Sequence, residues 1–167
     1  DYGAEYGNYA ADITRTFPVN GKFSKRQKEC YNAVLRVFKK AQTLIVAGST
    51  IDKVNATVAG LLEKEMIGLG LFTAADVKHQ DPASPLYFKY YMHGNSHFMG
   101  LDVHDVGLKQ TVLKPGMILS CEPGLYIKEE GIGIRIETDI LITPKGPVNM
   151  AKDIPVEIDE IEAIMKK

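Results

Sequence analysis

Cysteine is scarce in this sequence: it occurs at Cys30 and Cys121, with no CxxC pair. A dense disulfide framework is therefore excluded, and both thiols are expected as small buried apolar groups in a reduced, cytoplasmic setting. An excess of charge is missing too. Lysine and arginine number 20 against 21 acidic residues, a net charge of -1. No basic block is present to track a phosphate backbone, so no nucleic-acid partner is expected. The longest apolar stretches, such as Leu44–Ala47 and Met117–Leu119, fall far short of the ~20 residues of a membrane helix. There is no low-complexity tract and no fixed-period repeat. The opening Asp1-Tyr2-Gly3 has neither an initiator methionine nor a basic-then-apolar leader, so the expectation is a processed or excised piece. What is present suffices for one core: 167 residues, 45% of them apolar, read as one domain or subdomain over 1–167.

The pattern along the chain is α+β. Residues 1–17 read as a hairpin, with Tyr2, Tyr9, Ile13 and Phe17 as strand formers and Gly7-Asn8 as its turn. Ser24 with Gln27 forms a capping box, and Tyr31, Val34, Leu35, Phe38 and Leu44–Ile45 recur at helical spacing up to Gly48. A second helix opens at Ser49 and Asp52 and closes at Gly68 and Gly70, and a short one follows Thr73. The second half changes character. Met117–Ile127 and Gly131–Thr143 read as paired strands rich in β-branched residues, and Ile158–Met165 as a terminal helix. An antiparallel sheet with helices on one face is the expected architecture.

Both hairpins carry paired acids. If Gly7-Asn8 is a two-residue turn, Gly3 faces Asp12 and Asp1 faces Thr14. Asp1 and Asp12 then share one face as diagonal neighbours, roughly 7–8 Å apart or less at Cβ; a three-residue loop would separate them onto opposite faces. A four-residue loop at Lys128–Gly131 pairs Ile127 with Ile132 and sets Glu122 opposite Glu137, with a bulge expected at Pro123-Gly124. Four converging carboxylates would repel and raise one another's pKa unless divalent ions neutralised them. Ordinary surface acids at strand ends are the competing reading, and the spacing alone leaves the two level. Oxygen-rich ligands favour hard ions such as manganese, and two ions about 3.5–4 Å apart are the usual hydrolytic arrangement.

Three of the four histidines fall within His93–Asp105, interleaved with glycine and apolar residues, whereas His79 is assigned to the surface. This run resembles the histidine signature of prolidases and aminopeptidases P. Asp1–Pro18, with Asp12-Ile13-Thr14-Arg15, and Glu122-Pro123-Gly124 through Gly133-Ile134-Arg135-Ile136-Glu137 are similar to the same family's metal segments. On these motifs the chain resembles the Xaa-Pro aminopeptidase branch of the pita-bread metallopeptidases more than methionine aminopeptidases, although Asn95 and Met99 depart from the residue types expected in the signature.

The resemblance implies a pita-bread fold lacking its N-terminal portion, and five ligands: Asp1, Asp12, His97, Glu122 and Glu137. Asp12 and Glu137 would bridge two divalent ions, most simply Mn2+, with Co2+ or Zn2+ as alternatives. Glu122 would carry a proton, and His93 and His104 would flank substrate and the developing oxyanion. Val103 would help line a proline pocket, while Arg135, with Tyr126 in the same network, would orient a ligand. The implied activity is release of the N-terminal residue from peptides with proline second. A prolidase taking Xaa-Pro dipeptides and a non-catalytic pita-bread fragment are the alternatives. Peptides are then the expected partners, with no membrane, and an exposed sheet edge gives the expectation of a homo-oligomer.

Overall fold

The computed structural model describes residues 1–166. Gly7 and Asn8 both take positive φ, 61° and 68°, as a tight two-residue hairpin turn requires. They join β1 (Glu5–Tyr6) to β2 (Tyr9–Ala10), with Tyr6 opposite Tyr9. The same register continues outward to an isolated bridge between Tyr2 and Ile13.

The helices follow from their caps and apolar stripes. In α1 (Lys25–Gln42) the Ser24 side chain accepts from the Gln27 N–H, and the Gln27 side chain accepts from the Ser24 N–H. Its inner face, including Tyr31, Val34, Leu35 and Phe38, is buried. The helix ends at Gln42 rather than running on through Leu44–Ile45. The Thr43 N–H turns back to Lys40, and the Gly48 N–H is drawn off to the Leu113 carbonyl. Ile45 is still fully buried, so its apolar character reported burial and not helicity. The helix α2 (Ile51–Gly68) starts from a Thr50 cap, and α3 (Ala74–His79) from a capping box of Thr73 and Asp76. His79 on α3 is exposed, and Cys30 and Cys121 are buried free thiols. Among the described residues no helix is long and apolar enough to cross a membrane.

The second hairpin is one long ribbon with a gap in its ladder. Below the gap, β3 (Ile118–Cys121) pairs antiparallel with β6 (Thr138–Thr143), Cys121 facing Thr138. Above it, β4 (Gly124–Ile127) pairs with β5 (Ile132–Arg135), Gly124 facing Arg135 and Ile127 facing Ile132. These registers are continuous, so Glu122 lies opposite Glu137 and no residue is inserted. The bulge expected at Pro123-Gly124 is not there. Instead the ladder thins at Pro123, which has no N–H and only accepts from Ile136 at 3.4 Å, while Glu122 and Glu137 hold the outward places of the alternation: the Glu122 N–H donates to the Asn95 carbonyl and the Glu137 N–H to the Thr14 carbonyl. On one flank the ribbon is joined by residues 95–99, with Phe98 bridged to Leu119. On the other it is joined by the outgoing arm of the first hairpin. Past Asp139 that second edge passes to β7 (Gly146–Asn149).

Alternation then sorts the faces. Leu119, Cys121, Leu125, Ile127, Ile134, Ile136, Ile140 and Ile142 are buried in one cluster with the α1 and α2 stripes. Ser120, Glu122, Arg135, Glu137 and Asp139 point to the other side. The chain closes with α4 (Ile158–Met165). Just before it, the Val156 carbonyl accepts from the buried Tyr31 hydroxyl.

Candidate metal centre

Four side chains from four separate segments meet on the face of the ribbon opposite α1 and α2. Ligand-type atoms of Asp12, His97 and Glu137 lie within 4.8 Å of one another. His97 Nε2 is 3.4 Å from Asp12 Oδ2 and 3.6 Å from Glu122 Oε1. His97 Nδ1 lies 3.0 Å from the Phe98 carbonyl, an acceptor that only a ring N–H can satisfy. The neutral ring therefore carries its proton on Nδ1 and aims the Nε2 lone pair at two carboxylates. Lone pairs facing one another in this way suit a cation between them.

The acids lie in an environment that penalises their charge. Burial, and then the adjacent Glu137, push Glu122 up to about 7. Burial also holds Glu137 above the ordinary carboxylate range, with Asp12 adding to the effect and the Thr14 hydrogen bond opposing it. Such a donor set, three carboxylates and one imidazole, fits one or more hard divalent ions.

The supporting contacts are dense. The Thr14 hydroxyl donates to Glu137 Oε2 at 2.6 Å and accepts from Arg135 Nε at 3.0 Å. Arg135 Nη2 donates to Asp1 Oδ2 at 2.6 Å. The Ser120 hydroxyl donates to Glu122 Oε1 at 3.3 Å and accepts the His97 N–H at 3.0 Å. His93 Nδ1 meets the Gly94 carbonyl, so its Nε2 accepts from the Tyr126 hydroxyl at 2.8 Å. Burial lowers the His93 pKa, and Nδ1 stands 3.8 Å from Glu122 Oε2. The exposed His104 packs its ring edge-on to His97, centroids 4.4 Å apart. Asp1 stands further out, its side chain 57% exposed and held by Arg135. Asp1, Asp12, Val103 and His104 line one groove of about 440 Å³.

Every residue singled out from the sequence thus lies in or beside this site, while Thr14, Ser120 and Asp139 were missed. Asp139 had a signal, since strand alternation puts it on the same face as Arg135 and Glu137. Thr14 and Ser120 had the same signal, each two residues from a candidate ligand on one strand face, although a hydroxyl's partner is chosen by tertiary packing.

Two expected outcomes follow from this geometry. Gly3 sits opposite Asp12, and a Cβ there would overlap the Ala11 carbonyl. Main chain must then move, carrying Asp12 with it. Gly3→Ala is expected to weaken Mn2+ binding by about 10–100-fold in calorimetric titration, the range seen when the support of a ligand is disturbed. Second, acids whose folded pKa is raised stabilise the fold fully below their unfolded value and lose that contribution as pH rises through the folded one. For Glu122 the window runs from 4.5 to about 7. Metal-free protein should therefore melt at a higher temperature near about pH 5 than near about pH 8, with excess Mn2+ removing the decline. A metal-free melting temperature that climbs across this window would contradict the reading.

Comparison with known proteins agrees with these observations. The model for metallopeptidase family M24 matches residues 1–144. The chain is 42% identical to an Xaa-Pro aminopeptidase of Haemophilus influenzae over 178 residues, covering 99% of this chain and 41% of that protein. For the Xaa-Pro aminopeptidase of Escherichia coli the identity is 42% over 177 residues, covering 99% and 40%. A solved structure of zinc-substituted E. coli aminopeptidase P in complex with product aligns with a TM-score of 0.87 at 40% identity, over 96% of this chain and 39% of that one. The architecture is thus the pita-bread fold, and the chain spans about two fifths of the length of the curated relatives it matches.

Proposed function

The chain belongs to metallopeptidase family M24, and from that premise we propose that the complete protein is a dinuclear metal-dependent aminopeptidase. It would release the N-terminal residue from peptides with proline in the second position. Residues 1–167 would form the metal-bearing C-terminal part of its catalytic domain. The observation that supports this most is the convergence of Asp12, His97, Glu122 and Glu137 on the face of the sheet opposite α1 and α2.

In this reading Asp1, Asp12, His97, Glu122 and Glu137 hold two divalent ions, with Mn2+ the best match to an oxygen-rich set. When bound, the ions supply positive charge for a scissile carbonyl and acidify water. The chain's own residues do the rest. Glu122, with one oxygen turned towards His93, takes and returns a proton. His93 is held by Tyr126 and, with His104 on the far side of His97, would flank the oxygen on which charge develops. Arg135 fixes Asp1 and, through Thr14, Glu137. The groove bearing Val103 and His104 receives the proline side of the peptide.

The test uses the complete protein, stripped with a chelator and reloaded. Release of the first residue from an Xaa-Pro-Yaa tripeptide is expected with Mn2+ and not without it. Cleavage confined to Xaa-Pro dipeptides would make the protein a prolidase, and no cleavage with tight metal binding would make it a non-catalytic binder.

A further inference from the structure

We propose that Asp139 is a positioning residue that sets the Asp12 carboxylate against His97 and Glu137. The proposal rests on the metal-site reading above, and it comes from a vacancy in the main-chain bonding of the first hairpin. There the Ala11 N–H donates to Ala4 and the Ile13 N–H to Tyr2. The Asp12 N–H, between them, points away from its own partner strand, as alternate residues of an antiparallel pair must. It faces the edge of β6.

Two residues further along, the docking is of main chain on main chain, with the Glu137 N–H donating to the Thr14 carbonyl. At Asp12 that pattern stops, because β7 takes over the edge of β6: the Asp139 carbonyl already accepts from Met150, and Ile140 pairs with Asn149. No main-chain acceptor is left for Asp12. The Asp139 side chain supplies one instead, with Oδ2 accepting the Asp12 N–H at 3.2 Å. The junction where three segments share one strand edge is therefore closed by a carboxylate, at the residue whose own side chain lies 3.4 Å from His97 Nε2.

The rest of the Asp139 environment shows that this bond is not there to raise stability. The residue is 6% exposed, and its Oδ1 has no hydrogen-bond partner among the described residues. A buried carboxylate with a single bond costs more in desolvation than the bond returns, and a smaller apolar side chain would suit the fold as well. What the acceptor does provide is a fixed orientation for the backbone of a candidate ligand, and metal sites are sensitive to displacements of that kind.

Three forms of the complete protein decide it: the parent, Asp139→Asn, which retains an oxygen acceptor, and Asp139→Ala, which has none. Each is titrated with Mn2+ by calorimetry, and its Co2+-loaded form is followed by visible absorption. Asp139→Ala is expected to bind Mn2+ about 10–100-fold more weakly with an altered Co2+ spectrum, while its metal-free form melts no lower than the parent. Asp139→Asn is expected to restore the affinity to within about threefold of the parent and to restore the parent spectrum.

Parent-like affinity in Asp139→Ala overturns the proposal. So does a tenfold or greater loss in Asp139→Asn, which would assign the effect to charge and which settles the matter even should the alanine form not fold. A parent protein that binds no metal would instead overturn the metallopeptidase reading itself, and this inference with it.

Discussion

Replacing His97 by alanine is expected to lower the proposed peptidase activity of the complete protein by about a thousandfold or more. The ring offers Nε2 to a space it shares with Asp12 and Glu122, 3.4 and 3.6 Å away. It brings an imidazole lone pair into a cluster of carboxylates. Its loss leaves those acids facing one another with one neutral donor fewer, so the charge supplied by bound ions is both weakened and misplaced. That charge contributes several kcal/mol to carbonyl hydrolysis, and each 1.4 kcal/mol or so is tenfold in rate. The measurement pairs kcat with metal content at saturating Mn2+. Activity within tenfold of the parent at full occupancy would remove His97 from the ligand set. Retention of the parent's Tm in the metal-free form distinguishes this from unfolding, because His97 contributes only one hydrogen bond to the surrounding main chain through its ring.

Arg15→Leu is expected to have the largest effect on stability, about 3 kcal/mol. The guanidinium ties the first hairpin and the Glu137 strand, already docked on each other, to the segment before α4. Its Nη1 donates to the Thr14 and Glu137 carbonyls at 2.8 and 2.6 Å, and its Nε to the Pro155 carbonyl at 2.9 Å. Thr14 keeps a second donor in the Glu137 N–H, so two carbonyls lose the partner described here. Each buried acceptor left alone costs about 1–3 kcal/mol. For a chain of this size the corresponding fall in Tm is about 6–12 °C. Leucine preserves the packing of the stem, so the change isolates the fork. Arg15→Lys should recover part of the loss, since an ammonium cannot span all of these oxygens. A Tm within about 2 °C of the parent would show that solvent replaces the lost donors.

Reading the sequence placed the acids correctly where a turn imposed the register. Gly7-Asn8 accepts positive φ at both positions, which leaves one hairpin geometry open, and Asp1 and Asp12 follow from it. The loop of residues 128–131, closed by Gly131 at φ 62°, did the same for Glu122 and Glu137. The failures lie where partners are remote. A bulge at Pro123-Gly124 was a fair expectation from local chemistry, since proline cannot donate and glycine weakens a strand. The ladder thins there because Pro123 has no N–H, which leaves only the long Ile136 bond to its carbonyl. Glu122 and Glu137 hold the outward places of the alternation, and residues 122–124 do not encode that Asn95 and Thr14 meet them there. The end of α1 was misplaced for a related reason, as Ile45 has a core position whether or not it is helical. Asp139 needed both an alternation argument and the knowledge that β7 occupies the neighbouring edge. Only the first of these is written locally.

The gap in the long ribbon has a consequence for the order of assembly. Its two sides are completed by Asn95, from the middle of the chain, and by Thr14, more than a hundred residues before the glutamate that it meets. Pairings across such separations form late, because loop closure must precede any gain from contact. On the ribosome Asp12 would emerge long before Glu137, and ion capture would await the last strands. Acquisition of the proposed ions would then time completed folding, and after dilution from denaturant it should lag behind recovery of helical signal from α1 and α2.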